Sequence, residues 1–304
     1  SLLVLALLSR YVWLQVFAHD SFSTRSESNR VAVRPVAANR GVIYDRRGRV
    51  IAENQPAYRL EIVPENVPGK TDGLEALLDE LSTLIDLSEQ NRAAFHKARA
   101  NYHVFDSVPV KFKLTEVEVA KFAVNRHRFR GADVVPYLSR NYPYGELLTH
   151  VLGYTGRLDA RDIARVDEGN YRGTRTIGKN GVELFHENSL HGTSGFERVE
   201  TNVQGRILKV IDRQDAIPGT DLVLSIDVAV QRAAWEALGD RPGSVVAIDP
   251  VDGSVIALVS KPAYDPNLFV HGISQKDYQD ILAAPGRLLF NRALKGGYEP
   301  GSTL

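Results

Sequence analysis

Between Arg40 and Val63 apolar and polar positions alternate, the two-residue period of strands. Arg40-Gly-Val-Ile-Tyr-Asp45-Arg-Arg-Gly48-Arg-Val-Ile-Ala52 predicts two short strands around a turn. Gly48 supplies the positive φ that a tight hairpin needs. Tyr58 to Val63 continues the alternation. Over residues 71–100 the period becomes helical: Leu74, Leu77, Leu78, Leu81, Leu84 and Ile85 form one apolar stripe suited to core packing. A further helix is predicted from Thr115, where Thr115 and Glu118 make a capping box ahead of Val119, Phe122 and Ala123.

After Asp221 the pattern changes again. Asp221-Leu-Val-Leu-Ser-Ile-Asp227 alternates as a strand, and Val228 to Leu238 follows as a helix. Ser244 to Asp249, a Pro-Val-Asp-Gly turn and Ser254 to Ser260 make the clearest hairpin signal in the chain. The segment Arg213 to Thr220 is predicted to be a linker, because Ile217-Pro-Gly-Thr breaks any regular element. No repeat of solenoid or propeller period is visible.

The first residues follow a different rule. Ser1 to Leu8 is almost wholly apolar, Ser9-Arg10 interrupts, and Tyr11 to Phe17 is apolar and aromatic. A spanning helix needs about 20 apolar residues, more than this stretch supplies. A signal-peptide core would carry an Ala-x-Ala cleavage pattern, which is missing. The outer half of a single anchor helix, with Tyr11 and Trp13 at the membrane interface, is the favoured reading. A buried terminal helix is the alternative. A Ser- and Arg-rich neck, Asp20 to Arg34, follows.

Composition narrows the partners. The 304 residues are 43% hydrophobic and 24% charged, which suits a two-domain globular chain. Its 37 basic and 37 acidic residues balance, so there is no net field to recruit nucleic acid. There is no cysteine, which removes disulfides, thiolate metal sites and thiol nucleophiles. There is no methionine either, so the sequence is read as starting after its natural N-terminus.

Three local patterns suggest chemistry that their details do not sustain. Gly173-Thr-Arg-Thr-Ile-Gly178-Lys179-Asn180 resembles a phosphate-binding loop, but Asn180 stands where a magnesium-binding Ser or Thr is needed. His186-Glu187-Asn-Ser-Leu-His191 places its histidines five apart, whereas a two-histidine zinc helix requires four. The pairs Glu116/Glu118 and Asp159/Asp162 read as solvated faces rather than glycosidase carboxylates.

The segment Tyr298-Glu-Pro300-Gly301-Ser302-Thr303-Leu304 is the one that carries chemistry. By itself it is a loop ending in a Ser helix cap. The functional reading makes Ser302 a nucleophile at a helix N-terminus, where the dipole and free N–H groups favour an oxyanion. Ser-x-x-Lys enzymes place a Lys three residues on, beside the Ser hydroxyl. That position follows Leu304, so the chain is expected to be cut inside its serine motif, and a Ser without its base is a weak nucleophile.

Several separated motifs, in order, resemble those of class B penicillin-binding proteins. They are Arg40-Gly41 with Asp45-Arg46-x-Gly48 and Ile51-Ala52; Arg140-Asn-Tyr-Pro143-Tyr-Gly145 with His150-Val-Leu-Gly153; and Gly178-Lys-Asn-Gly181-Val-Glu183 with Leu190-His-Gly192 and Gly195. Pro218 to Asp227 and Tyr264-Asp265-Pro-Asn267-Leu-Phe269 then resemble the opening of the penicillin-binding domain. The resemblance runs the length of the chain and is nearest to the elongation-specific group, of penicillin-binding protein 2 type. The division type, penicillin-binding protein 3, is the rival.

That resemblance implies an α+β chain: a membrane anchor helix at 1–17, an extended β-rich pedestal at 18–213 and the truncated start of an α/β serine acyltransferase domain at 214–304. A helical lobe at about 66–135 would be inserted in the pedestal. It implies a peptidoglycan D,D-transpeptidase that forms an acyl-enzyme on Ser302, uses no cofactor or metal, and sits in the inner membrane with its bulk in the periplasm. The implied partners are a RodA-type glycosyltransferase, other membrane proteins of the elongation complex, peptidoglycan stem peptides and β-lactams. The 304 residues alone are expected to be catalytically inactive, and a membrane-anchored scaffold that activates a glycosyltransferase is the alternative function.

Overall fold

The computed structural model describes residues 31–100, 107–171, 173–174, 176–201 and 207–298. The expected anchor at 1–17 and Ser302 lie outside them. No helix among the described residues is long and apolar enough to cross a membrane.

Strand β1 (Val31–Val36) is followed by β2 (Ile43–Tyr44) and β3 (Val50–Ile62). The predicted hairpin forms: Ile43 faces Ala52, Tyr44 faces Val50, and Gly48 takes φ 77° at the turn. The alternation read at Tyr58–Val63 belongs to the same long strand. Strand β4 (Val108–Lys111) pairs with its end at Leu60–Ile62, and β5 (Ala132–Asn141) pairs along most of its length, in register from Glu53↔Asn141 to Ile62↔Ala132.

Between β3 and β5 lie α1 (Lys70–Ser82), α2 (Glu89–Arg99) and α3 (Glu116–Asn125). Leu74, Leu77, Leu78, Leu81 and Ile85 are buried against Leu60 and Ile62 of β3, Val108 and Val110 of β4, and Phe122 and Phe129. Each such side chain contributes about 1.5–3 kcal/mol on burial. The helical period over 71–100 divides in two because Ser88 starts a new helix, its hydroxyl accepting from the Asn91 amide at 3.2 Å. Thr115 caps α3 reciprocally with Glu118, as its spacing predicts.

Glu118 differs from the solvated residue expected. It is buried, and its carboxylate also takes hydrogen bonds from Lys111 Nζ at 2.7 Å and the Asp86 amide at 3.0 Å. Burial alone would raise its pKa, but these donors and the Thr115 amide hold it below the ordinary carboxylate value. Asp162 is likewise buried, between Lys179 and Arg165. Both carboxylates close joints between segments distant in sequence, which local pattern does not reveal.

Strands β6 (Thr155–Arg157) and β7 (Thr176–Gly178) form a short ladder. Strands β8 (Gly195–Thr201) and β9 (Ile207–Gln214) join β1 in a sheet of order β1-β8-β9. The segment expected to be a linker is instead pinned. Ile217 exchanges two backbone hydrogen bonds with Thr193, and the Gly219 amide donates to Asn39 O at 2.8 Å. A Cβ on Gly219 would collide with the Leu190 carbonyl, so Pro-Gly-Thr here fits a close crossing of backbones.

Only Leu222–Val223 of the predicted strand pairs, as β10, parallel to β2. The chain then turns, and the Asp227 side chain caps α4 (Val228–Leu238) at the Ala229 amide. The predicted hairpin follows as β11 (Gly243–Ile248) and β12 (Val255–Lys261), and α5 (Gln275–Ala283) packs later through Ile281. One core takes Ile43, Ile51, Tyr142, Leu148, Leu152, Leu190, Ile226, Val228 and Val270. Residues before and after the expected boundary therefore share one apolar interior.

Candidate functional site: a buried arginine–carboxylate node

The motifs at Arg40, Arg140 and Glu183 meet in space. Arg40 lies between β1 and β2, Arg140 at the end of β5, and Glu183 and Glu187 in the short helices Gly181–Phe185 and Glu187–His191. Arg40 Nε donates to Glu183 Oε2 at 2.7 Å, and its Nη2 donates to Glu187 Oε2 at 2.6 Å. Arg140 Nε donates to the other oxygen of Glu183 at 2.8 Å, and Arg140 Nη1 to Gly41 O at 2.8 Å. Tyr142 OH donates to Glu183 Oε1 at 3.2 Å and accepts from the Thr155 amide at 2.9 Å. Glu187 also takes Gly178 N at 2.9 Å and Tyr171 OH at 2.8 Å.

Two arginines and two glutamates balance their charge inside the protein. Burial would lower the Arg40 pKa, but Glu183 and Glu187 raise it well above its ordinary value. Burial would raise Glu187, but Arg40, with Gly178 and Tyr171, holds it low. Burial first, then Glu183, pushes the Tyr142 hydroxyl up, so it stays a neutral donor. Arg40 and Glu187 therefore each hold the other in its charged form. Such a network has little net stabilising effect compared with apolar packing, but it is very sensitive to loss of one member. Its physical role is to lock three backbone segments in one arrangement.

A second set of contacts extends this lock past residue 220. Asp45 is buried, accepts from the Arg47 and Arg49 amides, and receives the Val228 amide at 3.2 Å at the start of α4. Arg47 Nε reaches Asp227 at 2.7 Å. Gln231 donates to Leu147 O and Leu258 O and accepts from the Leu258 amide, tying the 145–152 segment to β12. Asn267 brackets the Tyr142 backbone, accepting from its amide at 3.0 Å and donating to its carbonyl at 3.1 Å. The approach to the serine segment is fastened too: Asn291 Nδ2 donates to His150 O, and the Arg292 amide to Ser260 Oγ.

The decoy patterns resolve as structure. Lys179 pairs with Asp159 and Asp162, and Asn180 accepts from the Tyr154 amide. His191 stacks on Tyr171 at 3.9 Å and pairs with Thr174. Among the described residues no group of three or more His, Asp or Glu is placed to hold a metal ion. Glu187, Asp45, Gln231 and Asn267 form part of the lock but were not singled out as individual sites from sequence. Asp45 and Asn267 stood inside motifs shared with the family, Glu187 inside the histidine decoy, and Gln231 within a predicted helix with no signal of its own.

Residues 35–224 match the family described as the penicillin-binding protein dimerisation domain, and residues 243–304 match the penicillin-binding protein transpeptidase domain. The chain belongs to the class B penicillin-binding protein family. As a penicillin-binding protein it is 44% identical to the peptidoglycan D,D-transpeptidase MrdA of Escherichia coli K12, over 96% of this chain and 46% of the relative. It is 38% identical to MrdA of Acinetobacter baumannii, over 99% of this chain and 44% of that one. The chain spans about half the length of the curated relatives it matches. Among solved structures it is similar to Pseudomonas aeruginosa PBP2 in complex with WCK 5153, with TM-score 0.56 and 33% identity over 90% of this chain and 39% of that one. A Helicobacter pylori complex of PBP2 with MreC has TM-score 0.70 over 86% of this chain and 48% of that one; at 23% identity it shows the shared fold.

Proposed function

We propose that the protein is a peptidoglycan D,D-transpeptidase of the cell-elongation machinery, with Ser302 as its nucleophile. The single observation that carries this reading is the pair of family matches in order along the chain, together with relatives named MrdA. Ser302 attacks the penultimate D-Ala carbonyl of a stem peptide and expels the terminal D-Ala. The side-chain amine of a neighbouring stem then takes the acyl group, regenerating the Ser and forming the cross-link. β-Lactams acylate the same hydroxyl. Backbone N–H groups stabilise the oxyanion in this reading, and the chemistry calls for no metal or cofactor.

Residues 1–17 anchor this protein in the inner membrane, 18–213 form the periplasmic pedestal, and 214–304 begin the transpeptidase domain. The arginine–carboxylate node and the Asp45, Gln231 and Asn267 contacts support a positioning role for the pedestal: they fix its orientation against the segment that leads to Ser302. A RodA-type glycosyltransferase is the proposed membrane partner.

The test labels the whole protein that carries this sequence, and its Ser302→Ala form, with fluorescent penicillin. Labelling of the unchanged protein and none of the variant is expected. Equal labelling of both would sink the assignment of Ser302.

A further inference from the structure

The short helix Arg292–Lys295 buries none of its side chains, and Leu294 on it is 70% exposed. Four residues are too few to hold a helix by themselves. Hydrogen bonds from outside the helix hold it instead. The Arg292 amide donates to Ser260 Oγ of β12 at 2.9 Å, and the Arg292 guanidinium donates to the Gly286 carbonyl. Asn291 supplies two more with a single side chain. Its Oδ1 accepts from the Leu294 amide at 3.1 Å, and its Nδ2 donates to His150 O at 3.0 Å. The bond to His150 spans 141 residues of sequence. It joins the portion that matches the transpeptidase domain to the portion that matches the dimerisation domain. The acceptor end is firm, because Leu148 and Leu152 on either side of His150 are buried and Gln231 holds Leu147 O.

We propose that Asn291 is a positioning residue for acylation, setting the start of the segment that runs to Ser302 against the pedestal. The inference rests on the reading of Ser302 as the nucleophile, which follows Lys295 by seven positions. The residue type is specific to the task. An amide carries an acceptor and two donors at one end, so it can cap the helix and hold a carbonyl at the same time. Asp caps a helix equally well, but its ionised carboxylate has no donor for His150 O. Acyl transfer depends steeply on the placement of the attacking oxygen, and a misplacement of about 1 Å can cost about 100-fold in rate. The apolar interior shared by the two portions does not take in this helix, since none of its side chains is buried. The Asn291 side chain therefore gives the pedestal a hold on the serine segment that core packing does not.

The experiment follows acylation of the whole protein that carries this sequence by fluorescent penicillin over a range of concentrations. The limiting acylation rate is thereby separated from the half-saturating concentration. Asn291→Ala is expected to lower the limiting rate about tenfold, the effect of one lost hydrogen bond, with the half-saturating concentration and the final amount labelled unchanged. A purely structural role would instead lower the amount labelled and leave the rate of the folded fraction as it was. Asn291→Asp, which keeps the cap and loses the donor, is expected to fall at least as far. An unchanged limiting rate in either folded variant, or failure of both to fold, overturns the proposal. Labelling that persists in Ser302→Ala overturns the reading of Ser302, and with it the proposal. That result is seen with Asn291 intact, so the two failures are told apart.

Discussion

Arg140 and Glu183, 43 residues apart in sequence, meet at 2.8 Å with side chains 3% and 0% exposed. Arg40 holds the opposite oxygen of the same carboxylate. A single buried Glu thereby joins the segment before β2, the end of β5 and the helix after β7.

Removing one partner leaves an uncompensated buried charge, so Arg140→Met is expected to cost about 3–5 kcal/mol in denaturant unfolding. Glu183→Gln is expected to cost a similar amount. The double variant should lose less than the sum, because the two changes delete the same pair. Strict additivity of the two losses would show that the pair is not coupled.

The glycines divide by environment. Gly219→Ala places a Cβ against the Leu190 carbonyl and is expected to destabilise by several kcal/mol or to prevent folding. Gly48→Ala meets no neighbour and bears only the strain of φ 77°, about 1–2 kcal/mol. Thermal melting of the two variants distinguishes them.

Acid should weaken the fold through His271. Its folded pKa is lowered from 6.5 to about 4, so the unfolded chain binds its proton first as pH falls. The stabilisation is complete above pH 6.5 and is lost on descent toward pH 4. Glu187, held below 4.5, adds a loss of the same sign at lower pH. His271→Gln is expected to flatten the stability profile between these two histidine values, read by urea midpoints at a series of pH values. An unchanged slope would contradict the assignment.

Asn267→Ala removes both side-chain bonds to the Tyr142 backbone. A cost of about 1–3 kcal/mol is expected, with faster hydrogen exchange at the Tyr142 amide. Exchange at Thr155 should change less, because Tyr142 OH remains its acceptor.

Local pattern was sufficient for the elements whose stability is local. The Gly48 hairpin, the Thr115–Glu118 capping box, the helix Val228–Leu238 and the hairpin of β11 and β12 all stand where spacing places them. Each depends on residues a few positions apart, so the chemistry that forms it is adjacent in sequence. The motif order also marked the family. Tertiary structure alone decided the rest. It shortened the 221–227 strand to Leu222–Val223 and turned the expected linker into a pinned crossing. It also buried Glu118 and Asp162, and brought Arg40, Arg140, Glu183 and Glu187 together. Burial and pairing are properties of where distant segments meet. A charged residue in a sequence does not reveal whether water or another charge will surround it.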